Sequence, residues 1–548
     1  MVKRIFLLGS ILILLVVSSM AQPNITKGGN TPKLVVGITI ENLRSEYITR
    51  YWNTFQEGGF KRLTENGTYT NNARIDIHNL RTSTTVATVY TGTYPAEHGI
   101  IGDQWYKHLT HNKIHAVYDD YYLTLGSDSK NGNASAKMLK VFTLGDVLKE
   151  YSNFNSQVFS VALNPVAAVL SAGHAADGAF WYDNSNGKMI TSSYYMDKFP
   201  DWVRDFNDKL LPDSFLQNNW DLMLPISSYD TGFLDGYVLE QGFWKKWNTF
   251  PYQLSILSSM VKSKYEILPA TPFGNQLVKE FALQLIDQYK LGFDNDPDLL
   301  NITFTSMDFA NKWFSPASVE MHDTYLRMDQ EISSLLNYLD KEVGKDNYLV
   351  FLTAASTSDY PVNILKDDMN FNAGEFATHS AMALLRVYLN AIYGMDDWIL
   401  MYNEEQVYLN HSLIEQKGKP LEEMQEKAAM FLNQFEGIKS AVPAVFIEKT
   451  NLDNPRFKAI DNSYCVQRSG DVMLLLEEGW RPSPKYDEVE YSTENRIPLL
   501  LFGTGVEAGT FEEPVDVTDI VPTVCKYLKI LPPDGAKGKI LKNVFWFN

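Results

Sequence analysis

The segment KLVVGITI, Lys33 to Ile40, is a short and nearly continuous apolar run that closes on Glu41. It lacks the alternation of a strand with one wet face, and so reads as a strand buried on both faces. The same pattern recurs at NITFTS (Asn301 to Ser306), YLVFLTA (Tyr348 to Ala354) and PLLLFG (Pro498 to Gly503). Helical stretches lie between these runs, among them VEMHDTYLRMDQEISSLLNYLDKEV (Val319 to Val343). Buried strands alternating with amphipathic helices predict an α/β domain with a mostly parallel sheet flanked by helices. Ligands of such sheets sit at the carboxyl ends of the strands. Glu41, Asp308 and the pair Ala355 and Ser356 follow these runs and are the first site candidates.

The 548 residues are 45% hydrophobic and 13% aromatic, enough for a large core and more than one compact unit. A formal charge of -18 argues against nucleic acid or an anionic membrane as a partner. Residues 1–21 read as a secretory signal: Lys3 and Arg4, then apolar Ile5 to Val17, then small Ser19 and Ala21 before a cut ahead of Gln22. The apolar stretch is shorter than the roughly 20 residues that span a bilayer. No later run is long and apolar enough, so no transmembrane span is expected after signal cleavage. Cys465 and Cys525 are too few for a disulfide framework and lie in no metal-binding spacing. Whether they pair is open.

Residues 22–31 read as a linker, and 32–548 as the main domain with two insertions. One, about 187–294, carries Trp202, Trp220, Trp244 and Trp247 and reads as a cap packing its aromatics. The other, about 381–450, holds a helical EEMQEKAAMFLNQF (Glu422 to Phe435) and an apolar AVPAVFI (Ala441 to Ile447), a small α+β subdomain.

The segment RTSTTVATVYTGTYPAEHGIIGDQWY (Arg81 to Tyr106) resembles the nucleophile region of bacterial alkaline phosphatases that use Thr. The tail EEPVDVTDIVPTVCKYLKILPPDGAKGKIL (Glu512 to Leu541) is similar to the closing segment of that family, with its D-x-T-D-I-x-P-T turn. Glu41 to Leu63, Leu170 to Asp183 and Ser318 to Asp329 fit in order, so the resemblance covers nearly the whole mature chain. It implies the alkaline phosphatase superfamily, in its type I phosphodiesterase/nucleotide pyrophosphatase-like branch. In that family two zinc ions clamp the phosphoryl group, held by six mostly Asp and His side chains.

Carried over position by position, the resemblance implies a degenerate site. Thr82 keeps the nucleophile position, although a Thr there would also serve as a helix N-cap. Asp103 replaces an Asn that donates to phosphate. Glu41 replaces the first ligand Asp, and Asp308 is retained. The His of the S-x-D-x-x-x-H motif is Lys312, the next Asp-His pair is Ala355 and Ser356, and the last His is Arg496. The Lys and Arg of a K-D-R triplet, which face the substrate, are Asn164 and Val166.

Only Glu41 and Asp308 remain as metal remnants, and no cofactor is expected, although the family would use two zinc ions. The reading is an exported, periplasmic or envelope pseudoenzyme that binds a protein partner or an anionic ligand. The alternative is a divergent phosphate- or sulfate-ester hydrolase using Thr82 with an altered metal site. Lys312 and Arg496 are expected to converge on Glu41 and Asp308 and neutralise them, since an unpaired buried carboxylate costs several kcal/mol. With Thr82 they could alternatively hold an oxyanion.

His108, His111 and His115 fall at i, i+3 and i+7, one face of a helix if the segment were helical. The family has a loop or hairpin there, so a solvated stretch is expected ahead of a new metal site. His98 and His174 read as structural. The stretch around Ser171 is not a Gly-x-Ser-x-Gly elbow.

Overall fold

KLVVGITI forms strand β1 (Leu34–Ile40), buried at every position. The reason is its central place, with a parallel neighbour hydrogen-bonded on each side. The computed structural model describes residues 31–544 apart from 79, 109, 230–242, 244–246, 358, 368, 450–456 and 484–494. The expected signal, most of the linker, and Trp244 lie outside the described residues.

The remaining principal strands are β2 (Thr68–Arg74), β3 (Val158–Ala162), β4 (Gly178–Asp183), β5 (Lys188–Ser192), β6 (Asp298–Phe304), β7 (Tyr348–Ala354), β8 (Ile399–Asn403), β9 (Gln406–Leu409), β10 (Ile438–Pro443), β11 (Val472–Leu476) and β12 (Arg496–Gly503). The main sheet runs β2-β12-β7-β1-β6-β3-β4-β5, with short pairings at both edges. Strands β7, β1, β6, β3 and β4 are mutually parallel, whereas β12 is antiparallel to both β7 and β2. This is the mostly parallel α/β sheet expected from the apolar runs.

Helix α1 (Thr82–Thr91) packs against α2 (Pro165–Ala172), and α3 (Pro272–Tyr289) against α5 (Val319–Leu339); the short α4 (Ser306–Asn311) follows β6. Helix α1 is buried from Ser83 to Thr91 despite its hydroxyls. Thr88 and Thr91 donate back to the carbonyls of Thr84 and Ala87 at 2.7 and 2.6 Å, which makes their burial affordable. A side chain at Gly37 would meet the Phe351 ring at 2.5 Å and the Tyr90 hydroxyl at 2.9 Å, so only glycine lets α1 approach β1 this closely.

A second, antiparallel sheet of order β8-β9-β11-β10 is covered by α6 (Thr378–Tyr393) and α7 (Leu421–Leu432). Its core joins Leu385, Leu389, Val407, Met424, Leu432 and Leu474. The β8–β9 turn is Glu404-Glu405, with φ of 47° and 55°, and both residues are buried. Two-residue hairpin turns of this shape favour Asn or Gly, because a side chain strains a positive φ.

In the 187–294 stretch, Trp220 is fully buried and its indole N–H donates to Asp323 of α5 at 2.7 Å. Phe250, Tyr252 and Phe314 surround it, with ring centroids 5.3, 5.3 and 6.0 Å away. Trp220, Phe250 and Tyr252 pack against one another. Cys465 and Cys525 are separate buried thiols. No helix among the described residues is long and apolar enough to cross a membrane.

His98 and His174 have the structural roles expected of them. His174 Nδ1 lies 3.1 Å from Asp146, which raises its pKa against the lowering effect of burial. His98 is fully buried, with Nε2 3.1 Å from the Thr88 hydroxyl and Nδ1 accepting from the Ile100 N–H. Burial, and then the Arg468 charge, pull its pKa from 6.5 down to about 3. A depressed His contributes stability that is whole above 6.5 and is lost as the pH falls toward 3. Each pH unit in that window costs about 1.4 kcal/mol. We expect His98 alone to remove about 2 kcal/mol between pH 6.5 and 5, and His98→Gln to flatten that limb in urea titrations across pH.

Candidate functional site

The strand register decides which residues meet. Ile40 lies opposite both Phe304 and Ala354, and the Glu41 and Ala355 N–H groups continue the ladders at 2.9 Å. Glu41, Asp308 and the pair Ala355-Ser356 therefore leave the sheet at one edge. Asn164, two residues beyond β3, caps α2 by accepting from the Ala167 N–H at 2.8 Å.

Thr82 enters from α1. Its hydroxyl donates to Glu41 Oε1 at 2.6 Å, and Asn164 Nδ2 donates to the same oxygen at 3.3 Å. Thr82 is not the helix cap: Arg81 holds that place and Thr82 is the first helical residue, leaving its hydroxyl for Glu41. The other Glu41 oxygen is buried and has no hydrogen-bond partner among the described residues. Burial, then the Asp308 charge, push the Glu41 pKa well up, against the opposing pull of Thr82, Asn164 and Lys312. Asp308 is also raised, chiefly by burial; Lys312 and Arg81 oppose this and the Asp103 charge adds to it.

The cations are not arranged as the sequence suggested. Lys312 is exposed, its ammonium 5.2 Å from the Phe309 ring centre, although its charge still reaches both carboxylates. Arg496 is exposed at the start of β12 and lines a surface cavity of about 520 Å³ with Ser45, Arg74 and Glu512. The expected burial of Lys312 and Arg496 against Glu41 and Asp308 is thus corrected. The antiparallel β12 starts where its neighbours end, so a long side chain at its first position can turn outward. The buried cation acting on Asp308 is Arg81, which also lies 3.6 Å from Glu404.

Ala355 is fully buried and offers no donor. The Ser356 hydroxyl accepts from the Asn42 N–H at 3.2 Å and lies 3.4 Å from Asn42 Oδ1. Asn42 adopts φ 57° and its side chain hydrogen-bonds Asp308. Val166 is half-buried against the core, and a cavity of about 390 Å³ beside it is lined by Asn164, Trp181, Pro269 and Phe309. Sequence reading missed three contributors: Arg81, Asn42 and Glu404. The positive-φ preference of Asn was the one available signal, and only for Asn42.

The His108, His111 and His115 segment is a hairpin, Gln104–Tyr106 against Lys113–His115, so the three imidazoles share no helix face. His108 instead lies with His411 and Asp471, whose ligand atoms are all within 4.8 Å of one another.

Comparison with known proteins completes the description. The type I phosphodiesterase / nucleotide pyrophosphatase family matches residues 35–496. The chain is 33% identical to alkaline phosphatase PafA of Elizabethkingia meningoseptica, covering 97% of each, and 32% identical to alkaline phosphatase PhoV of Synechococcus elongatus, covering 94% and 93%. The crystal structure of wild-type PafA superposes with a TM-score of 0.86 at 32% identity, covering 94% of this chain and 99% of that one. These likenesses, with the His108, His411 and Asp471 group, overturn the expectation that no cofactor belongs to this chain. The family match over residues 35–496, these relatives and the shared fold make the chain a member of the type I phosphodiesterase / nucleotide pyrophosphatase family, within the alkaline phosphatase superfamily.

Proposed function

We propose that this chain is an exported, alkaline-phosphatase-like protein of the cell envelope whose Thr82 pocket no longer hydrolyses phosphate esters by a two-metal route, and that it acts by binding. The carrying observation is the chemistry at the strand edge. Two zinc ions need six donors, mostly carboxylate and imidazole. The six positions offer the Glu41 and Asp308 carboxylates, a methyl at Ala355, the Ser356 hydroxyl engaged with Asn42, and the cations Lys312 and Arg496. That set does not fit two zinc ions.

The substrate side supports the same reading. Asn164 spends its oxygen capping α2 and its amide on Glu41, and Val166 brings no charge. Asp103 adds negative charge near Asp308 where a phosphate would need donors. The signal at residues 1–21 and insertions at about 187–294 and 381–450 belong to this proposal. The adjoining cavity, lined by Asn amides and aromatic rings, gives a ligand or partner a place to bind.

A second reading rests on the Thr82–Glu41 bond. A hydroxyl 2.6 Å from a buried carboxylate is the geometry of a nucleophile beside a general base. The relatives are named alkaline phosphatases, which keeps a divergent ester hydrolase in view.

Turnover of an aryl phosphate monoester, measured with zinc supplied, separates the two. We expect the wild-type rate to match that of Thr82→Ala. A rate that depends on Thr82 would establish the hydrolase instead. We also expect Asn164→Ala, which removes the α2 cap and a bond to Glu41, to lower stability by about 1–2 kcal/mol. The urea midpoint should fall at unchanged slope.

A further inference from the structure

We propose that His108, His411 and Asp471 form a divalent transition-metal site, most suited to zinc, separate from the Thr82 pocket and independent of how that pocket functions. His108 follows the Gln104–Tyr106 strand, His411 opens the short helix His411–Gln416, and Asp471 immediately precedes β11. Their ligand atoms lie within 4.8 Å of one another and line a cavity of about 170 Å³ whose lining includes none of Thr82, Glu41, Asn164 and Asp308. Two imidazoles and a carboxylate, with a fourth place open to the cavity, form a donor set that zinc takes in proteins.

The surroundings prepare these donors. His108 Nε2 lies 2.9 Å from the Ser469 carbonyl oxygen, which can only accept, so the proton sits on Nε2 and the Nδ1 lone pair is free. Nδ1 is buried and has no hydrogen-bond partner among the described residues; it lies 3.8 Å from Asp471 Oδ2. Burial lowers the His108 pKa, the Asp471 charge opposes that, and the nearby His411 adds to the lowering.

Asp471 is almost wholly buried. It accepts from the Leu409 N–H and the Gln425 amide, each at 2.7 Å, which are the outer partners a ligating carboxylate requires. His411 Nε2 lies 2.7 Å from Asp471 Oδ1, and the two imidazoles stack 4.3 Å apart.

In a tetrahedral zinc site neighbouring donors are about 3.3 Å apart. The 2.7 Å His411 contact is to Asp471 Oδ1 and the 3.8 Å His108 gap is to Oδ2, so a metal taking both carboxylate oxygens opens the first by about 0.6 Å and closes the second by about 0.5 Å. Zinc at His411 Nε2 takes the place of the hydrogen directed at Asp471 Oδ1, and the neutral ring then carries its hydrogen on Nδ1. The ion would tie the hairpin of the main domain to the second sheet.

The test uses the full chain, stripped with chelator, dialysed and titrated with zinc, with bound metal read by elemental analysis. A Glu41→Gln/Asp308→Asn double variant removes the two carboxylates beside Thr82. On that background we expect a single tight equivalent. His108→Gln or His411→Gln should weaken it by at least the roughly 10–100-fold that loss of an outer-shell partner costs, with unchanged metal-free circular dichroism. Should the double variant not fold, loss of one equivalent between wild type and His411→Gln carries the same decision. Absence of bound zinc, or zinc binding unchanged by both His substitutions, would overturn the site.

Discussion

Two carboxylates brought together at the edge of a buried parallel sheet set the terms for the rest of the site. Glu41 and Asp308 follow adjacent strands whose register leaves them no freedom to separate. Burial, which removes the water that would otherwise screen them, raises the pKa of both, and the Asp308 charge raises that of Glu41 further. Several neighbouring side chains answer that constraint, whereas the Asp103 charge adds to it. Thr82 and Asn164 donate to Glu41, Asn42 donates to Asp308, and Lys312 and Arg81 bring positive charge. The opening of α1 and the cap of α2 are parts of this one electrostatic arrangement, so local helix geometry and the pocket are coupled.

The sheet was legible because burial on both faces leaves an unmistakable run of apolar residues, as in Leu34–Ile40 and Tyr348–Ala354. Helix Val319–Leu339 was legible through its periodicity, and a further π-helical turn carries it on to Gly344. The positions of Glu41, Asp308, Ala355 and Ser356 followed from their place after strands. Direction was harder to read. Arg496 stands at the start of an antiparallel strand, and nothing in its neighbours tells whether its side chain turns inward. Contacts made across long chain separations left no local trace. Arg81 meets Glu404, and His108 meets Asp471, through folding alone. The His108–His115 spacing fitted a helix only on paper, because His111 takes φ 56° in a hairpin.

The Glu404-Glu405 turn shows how the second sheet is fastened to the first. Two successive buried residues at positive φ persist only where surrounding contacts over-determine them. A side chain at Gly102 would meet the Glu404 carboxylate at 1.7 Å, so the main domain leaves a glycine-sized space for this turn. Arg81 receives the carboxylate from the other side. The ion pair brings the strained turn of the second sheet against Arg81, the residue next to Thr82.

Strand β2 has a history that the finished fold conceals. Its partners, β12 and the short strands Gly509–Thr510 and Val515–Asp516, all come from the last tenth or so of the sequence. On the ribosome, Thr68–Arg74 emerges early and must wait, unpaired, while more than four hundred residues are made. The exposed edge of β7 waits with it, since β12 covers that edge too. The sheet therefore cannot close during synthesis. A chain interrupted before residue 496 presents two open, aggregation-prone edges, and this architecture suits a polypeptide kept unfolded until its synthesis is complete.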